Sequence, residues 1–149
     1  MNLRWREVGV ILLAMLAEGS AQGQSPAAAP GVLAESKVYP VEAMPARMMA
    51  NGGDSRDTLK GVLISGEAVS VHESSQPAGM KANPQHVIQH SEIITVVEGT
   101  VAFEHGDASE KVGPGGVIYV AQGTLHTLHN VGPGTARYVV VAIGVEGKK

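Results

Sequence analysis

Between Thr58 and Ile143 the chain alternates short apolar and β-branched runs with clusters of turn residues. The runs are Leu59–Ile64, Ala68–His72, Val87–Ile88, Ile93–Val97, Val101–Glu104, Val117–Val120, His126–His129 and Tyr138–Ile143. Between them fall Ser65-Gly66, Gln76-Pro77-Ala78-Gly79, Glu98-Gly99, His105-Gly106-Asp107, Gly113-Pro114-Gly115-Gly116, Gln122-Gly123 and Gly132-Pro133-Gly134. Short β-branched segments bounded by Gly, Pro, Asn and Asp read as strands, because those residues supply the special backbone angles of turns. Many such strands at regular spacing predict an all-β sandwich or barrel. No apolar pattern with a 3.6-residue period persists long enough for a major helix. Ile88, Ile94, Val96, Val101, Phe103, Ile118, Val120, Leu128 and Val139 are candidate pocket-wall or core residues, depending on strand phase, and predict an apolar pocket.

The amino terminus follows a different pattern. Arg4 and Arg6 precede an apolar run from Val8 to Ala17, and small residues follow at Gly19-Ser20-Ala21. A basic start, a short apolar run and a small-residue exit predict a secretory signal peptide over residues 1–21, and so a periplasmic or secreted protein. Residues 22–37 are rich in Ala, Pro, Gly and Ser and predict a flexible leader. Residues 38–57 predict a segment packing on the barrel surface or across its mouth, and residues 58–146 the domain itself.

Composition narrows the classes. A chain of 149 residues suits one domain with a core. A net charge of -3 and a pI near 6.0 offer no basic stripe, which argues against nucleic acid as a partner. Nineteen glycines and eight prolines weigh against a helix bundle. The absence of cysteine excludes disulfides, thiolate nucleophiles and thiolate metal sites, so any metal chemistry falls to His and carboxylates. With one Phe, and Trp5 inside the expected signal peptide, aromatic stacking is scarce, and a charged sugar or nucleotide substrate is not indicated.

Five of the six histidines lie between His86 and His129. In an extended chain, alternate side chains share a face, so His86, His90 and Glu92 can line one side of a strand. His126 follows a strand and the turn Gln122-Gly123, where it can close a site from a distant part of the barrel. Two spaced motifs run through these residues. Gly79, His86, Glu92 and Gly99 fall in order, with six residues between Glu92 and Gly99; Gly115, Gly123, His126 and Asn130 follow.

Over Leu59 to Gly144 this pattern resembles the cupin superfamily, small single-domain members in particular. The resemblance implies a double-stranded β-helix, or jelly-roll barrel, with a divalent metal in its mouth. It places His86 at the first histidine, Glu92 at the glutamate and His126 at the last histidine. The second histidine of the first motif would stand at position 88, where this chain has Ile88; Ala121 replaces the proline of the second motif, and Gly79 lies one residue farther from His86 than usual. His90 is either an additional family histidine or the substitute for the ligand missing at Ile88.

His86, Glu92 and His126 alone would give two imidazoles and one carboxylate, the donor set of the facial triad; His90 would make it three His and one Glu. Such an ion, Mn, Fe, Ni, Cu or Zn, would act as a Lewis acid on a small organic molecule, in oxygenase, isomerase or lyase chemistry. The alternative is a noncatalytic small-molecule binder whose metal site was lost through Ile88. His72, His105 and His129 read as core or rim residues, Arg137 and Glu98 as surface, and Asn130 as a loop anchor; Tyr119 either lines the pocket or packs under it. No membrane partner is expected after signal cleavage, and small barrels with edge strands predict a homodimer.

Overall fold

The structure, a computed structural model, describes residues 31–50 and 52–144; the expected signal peptide lies outside them. It consists of β1 (Val32–Leu33), β2 (Arg47–Met48), β3 (Asp54–Leu63), β4 (Ala68–Gln76), β5 (His86–Val87), β6 (Ser91–Glu98), β7 (Val101–His105), β8 (Ala108–Val112), β9 (Val117–Val120), β10 (Leu125–Asn130) and β11 (Ala136–Ile143), with one short 3-10 turn at Val41–Ala43. The larger sheet runs β1-β3-β4-β11-β6-β9 with β2 also on β3, and the smaller runs β5-β10-β7-β8. Every pairing is antiparallel except that of β1 with the end of β3, where Val32 and Leu33 of the expected leader face Val62 and Leu63. The fold is the expected jelly-roll barrel. Among the described residues no helix is long and apolar enough to cross a membrane.

The two-residue period of a half-buried strand sorts the core. On β6, Ile94 and Val96 are 2% and 1% exposed while Ile93 and Val97 are 38% and 49% exposed. The larger sheet sends Ile94, Val96, Ile118, Val120, Tyr138 and Val140 inward to meet Val101, Phe103 and Leu128 of the smaller one. On β11 the phase places Val140 in the core and leaves Val139 half-buried, which corrects the placing of Val139.

Two elements depart from the apolar pattern. β8 has no apolar run; four of its five residues are exposed, and it forms because Gly106, at φ +53°, turns the chain back against β7. Its charged residues suit a sheet edge, where they discourage pairing with other chains. β3 begins at Asp54, ahead of the apolar residues, because Ser55 and Asp57 pair with Ser74 and His72 before a bulge between Asp57 and Leu59.

The turn from β6 to β7 requires glycine. Gly99 has φ +74°, and a Cβ there would stand 2.6 Å from the Thr135 carbonyl oxygen and 2.7 Å from the Ala136 Cα. That close approach seats the start of β11 under the turn and so holds β6, which carries Glu92, in place.

Candidate functional site

β5, β6 and β10 bring the motif residues to one mouth of the barrel. His86 and His126 are Cα partners across the β5–β10 ladder, and their ring centroids are 4.8 Å apart. His126 is 3% exposed, with the Phe103 ring behind it at 5.7 Å. Its Nδ1 lies 3.1 Å from the Thr124 carbonyl oxygen. A carbonyl only accepts, so Nδ1–H donates, and the neutral ring keeps its lone pair on Nε2. That Nε2 stands 4.0 Å from Glu92 Oε2, while the other Glu92 oxygen accepts a 2.9 Å bond from His90 Nε2–H.

The four expected ligands thus meet as a chain of pairs: His90 with Glu92, Glu92 with His126, and His126 with His86. Among the described residues no group of three or more His, Asp or Glu side chains is gathered closely enough to hold an ion as the structure stands. Position 88, where the resemblance expects a ligand, holds Ile88, which supplies no donor. It is 6% exposed within the apolar core, and its carbonyl oxygen accepts a bond from Gly123 N–H, so the position is built as packing. In chemistry, the bare Nε2 of His126, the Glu92 carboxylate and the adjacent His86 imidazole suit a divalent transition metal.

A cavity of about 230 Å³ opens beside these residues. His86, Glu92 and His126 line one side, and His72, Ser74 and Tyr138 line it as well. His90 is not among the lining residues; its bond to Glu92 makes it a positioning group for that carboxylate. Met49 also lines the cavity, which puts the segment before β3 at the mouth.

Residues 71–142 match the family model described as the cupin domain. The barrel is a cupin domain. No curated protein matches the chain by sequence. Among solved structures, the chain is similar to the polyketide cyclase RemF from Streptomyces resistomycificus, with 19% identity over 76% of this chain and 83% of that one, at a TM-score of 0.62. It is similar to a predicted oxalate decarboxylase from Thermotoga maritima, with 16% identity over 73% of this chain and 100% of that one, TM-score 0.61. KdgF from Halomonas sp. gives 13% identity over 71% and 94%, TM-score 0.61. At these identities the likeness concerns the fold.

The cupin pocket is more polar than its sequence suggested. His72 belongs to its wall, because β4 turns the row Ser70, His72, Ser74 and Gln76 toward the barrel interior, where His72 faces Val140 and Ser74 faces Tyr138. A lone histidine among β-branched residues gave no spacing signal for this. Burial lowers the His72 pKa, partly opposed by Glu92 and Asp57, so its imidazole is neutral near pH 7. Tyr138 is held by a 2.8 Å bond from Gln76, and burial raises its pKa although that bond and the neighbouring Ser74 hydroxyl pull the other way.

The remaining polar residues have structural places. Asn130 is buried; its side chain donates to the Gln76 and Gly134 carbonyls and accepts from Gly132 N–H, fixing the loop after β10. Tyr119 is 66% exposed on the outer face, so it neither lines the pocket nor packs under it. Arg137 pairs with Glu73 at 2.8 Å and Glu98 at 3.8 Å, His105 with Glu110 at 3.2 Å, and His129 lies 3.8 Å from Glu104.

Proposed function

We propose that this cupin is an exported protein that binds one divalent transition metal through His86, Glu92 and His126, and takes a small organic molecule in the adjacent cavity. The observation that carries this is the His126 tautomer: the Thr124 carbonyl fixes the proton on Nδ1 and leaves a bare Nε2 facing Glu92 across 4.0 Å. A metal-ligating histidine is commonly oriented this way, through its other ring nitrogen. The bound ion would supply Lewis acidity to a ligand oxygen. Within the chain, His90 holds the Glu92 carboxylate, and Met49 narrows solvent access to the mouth. The likeness to a polyketide cyclase and to a predicted oxalate decarboxylase supports a small organic molecule as the ligand class.

A second reading has its own observation. Ile88 fills the place of a ligand, and the donors lie in pairs, which favours a metal-free binding protein. Metal analysis of the protein, purified without a histidine tag and alongside His126→Ala, decides between the two. One ion per chain, lost in the variant, supports the metal site; no ion after reconstitution with Mn, Fe, Ni, Cu and Zn in turn supports the binder.

The proposal includes a homodimer. On the outer face of the larger sheet, Ile93, Val97, Val117 and Tyr119 are 38% to 66% exposed on neighbouring strands β6 and β9, a surface that a second copy would cover. A monomer by light scattering at high concentration overturns that part. Export, to the periplasm or beyond, rests on the pattern of residues 1–21.

A further inference from the structure

The wall formed by β4 and β11 has a hydrogen-bond direction that can be followed atom by atom. It starts at the backbone N–H of Asn130, a group that can only donate, which lies 2.8 Å from Gln76 Oε1. This fixes the orientation of the Gln76 amide, so its Nε2 protons go to the Leu128 carbonyl at 3.3 Å and to Tyr138 Oη at 2.8 Å. Tyr138 Oη therefore accepts, and its own proton must go elsewhere. Ser74, its Cα partner on the adjacent strand, brings a second hydroxyl to the same cavity. The Tyr138 hydroxyl, its lone pair engaged by Gln76, and the Ser74 hydroxyl thus each carry a proton on a side chain that lines the cavity.

We propose that Tyr138 and Ser74 form a donor clamp for a neutral carbonyl oxygen, so that the ligand is a small ketone, lactone or ester. The inference rests on the reading of this mouth as the ligand site. Burial keeps the phenol protonated, so the clamp donates across the physiological range. No Lys or Arg lines the cavity, so a carboxylate at the clamp would find no cationic side chain to pair with. Ile94, Leu128 and Val140 supply apolar surface for the rest of the molecule. A placed hydrogen-bond donor beside apolar wall residues is how small-molecule sites orient a ligand.

The test uses an isosteric pair: cyclohexanone, and methylenecyclohexane, in which CH2 replaces the carbonyl oxygen. Each is titrated into the full mature protein and followed by the NMR shifts of the Ile94, Leu128 and Val140 methyl groups. Cyclohexanone is expected to bind about fivefold more tightly, the worth of one buried neutral hydrogen bond. Tyr138→Phe is expected to reduce that preference, and Ser74→Ala with Tyr138→Phe to abolish it, thermal melts confirming that both variants fold. Equal binding of the two compounds to the parent, no binding of either, or a preference that survives the double variant overturns the proposal. Ion content is measured on the same samples. A preference that persists in protein unable to hold an ion counts against the metal assignment alone, and parity in ion-loaded protein counts against the clamp alone.

Discussion

His86 and His126 face each other as Cα partners across the β5–β10 ladder, with ring centroids 4.8 Å apart. Two histidines separated by forty residues of chain thus depend on one strand register. Because side chains alternate, a slip of one residue would turn either histidine to the other face of its strand. The neighbouring pair, Val87 with Leu125, is outward and half-exposed, which marks the register by hydrophobic pattern only weakly. The buried Phe103 ring against His126 adds the missing specification.

That geometry makes Ile88→His an informative gain of function. Position 88 lies two residues beyond His86 and inside the apolar core. Without metal, an imidazole there has no hydrogen-bond partner and is expected to cost about 1–3 kcal/mol. With zinc or nickel the loss should be recovered, and the ion-induced rise in Tm should exceed that of the parent. Thermal melts with and without each metal check this; equal ion-induced shifts would count against a mouth shared by positions 86, 88 and 126.

Gly99→Ala is expected to destabilise by about 1–3 kcal/mol through its positive φ alone. The 2.6 Å approach of its Cβ to the Thr135 carbonyl adds to that, since both atoms belong to backbone or are fixed to it. Urea unfolding should show a lower midpoint with an unchanged slope, because the compactness of neither state alters. A midpoint equal to that of the parent would mean the β6–β7 turn has more freedom than its contacts imply.

Asn130→Ala removes three side-chain bonds at a buried position and leaves Gln76 and Gly134 carbonyls without that donor. About 2–3 kcal/mol is expected, against less than about 0.5 kcal/mol for Lys111→Ala on the exposed strand β8. The same unfolding measurement separates them. Near-equal losses would show that the loop after β10 is held by something other than Asn130.

The fold was legible because its strands are half-buried, and a half-buried strand writes its inner face into the sequence every second residue. Ile94 and Val96 announced β6 in this way. β8 was illegible for the converse reason: Ala108-Ser109-Glu110-Lys111 is solvated, and only the β7 hairpin makes it a strand. His86, Glu92 and His126 could be chosen from motif spacing, and the structure brings them to one mouth. His72, Ser74 and Tyr138 could not, since they reach the cavity through the β4–β11 register, and a register between strands more than sixty residues apart leaves no local trace. The polar stripe Ser70, His72, Ser74 and Gln76 had the right period, but on a strand it reads equally as a solvent face.

Those wall residues give the pH dependence of stability. Burial holds the His72 pKa below its ordinary 6.5 and the Tyr138 pKa above its ordinary 10.0. For His72 the unfolded chain binds the proton first as pH falls, so its contribution is full above pH 6.5 and declines as pH drops below that value toward the folded pKa. For Tyr138 the unfolded chain loses the proton first as pH rises, so stability is full below pH 10.0 and declines above it. Glu92 and Asp57 attract a proton to His72 and soften the acid limb without reversing it. His72→Gln should therefore flatten the decline below pH 6.5, and Tyr138→Phe the decline above pH 10.0, each leaving the other limb in place. Urea midpoints taken from pH 5 to pH 11 read both limbs at once; an acid limb unchanged by His72→Gln would place the neutral buried histidine elsewhere in the barrel.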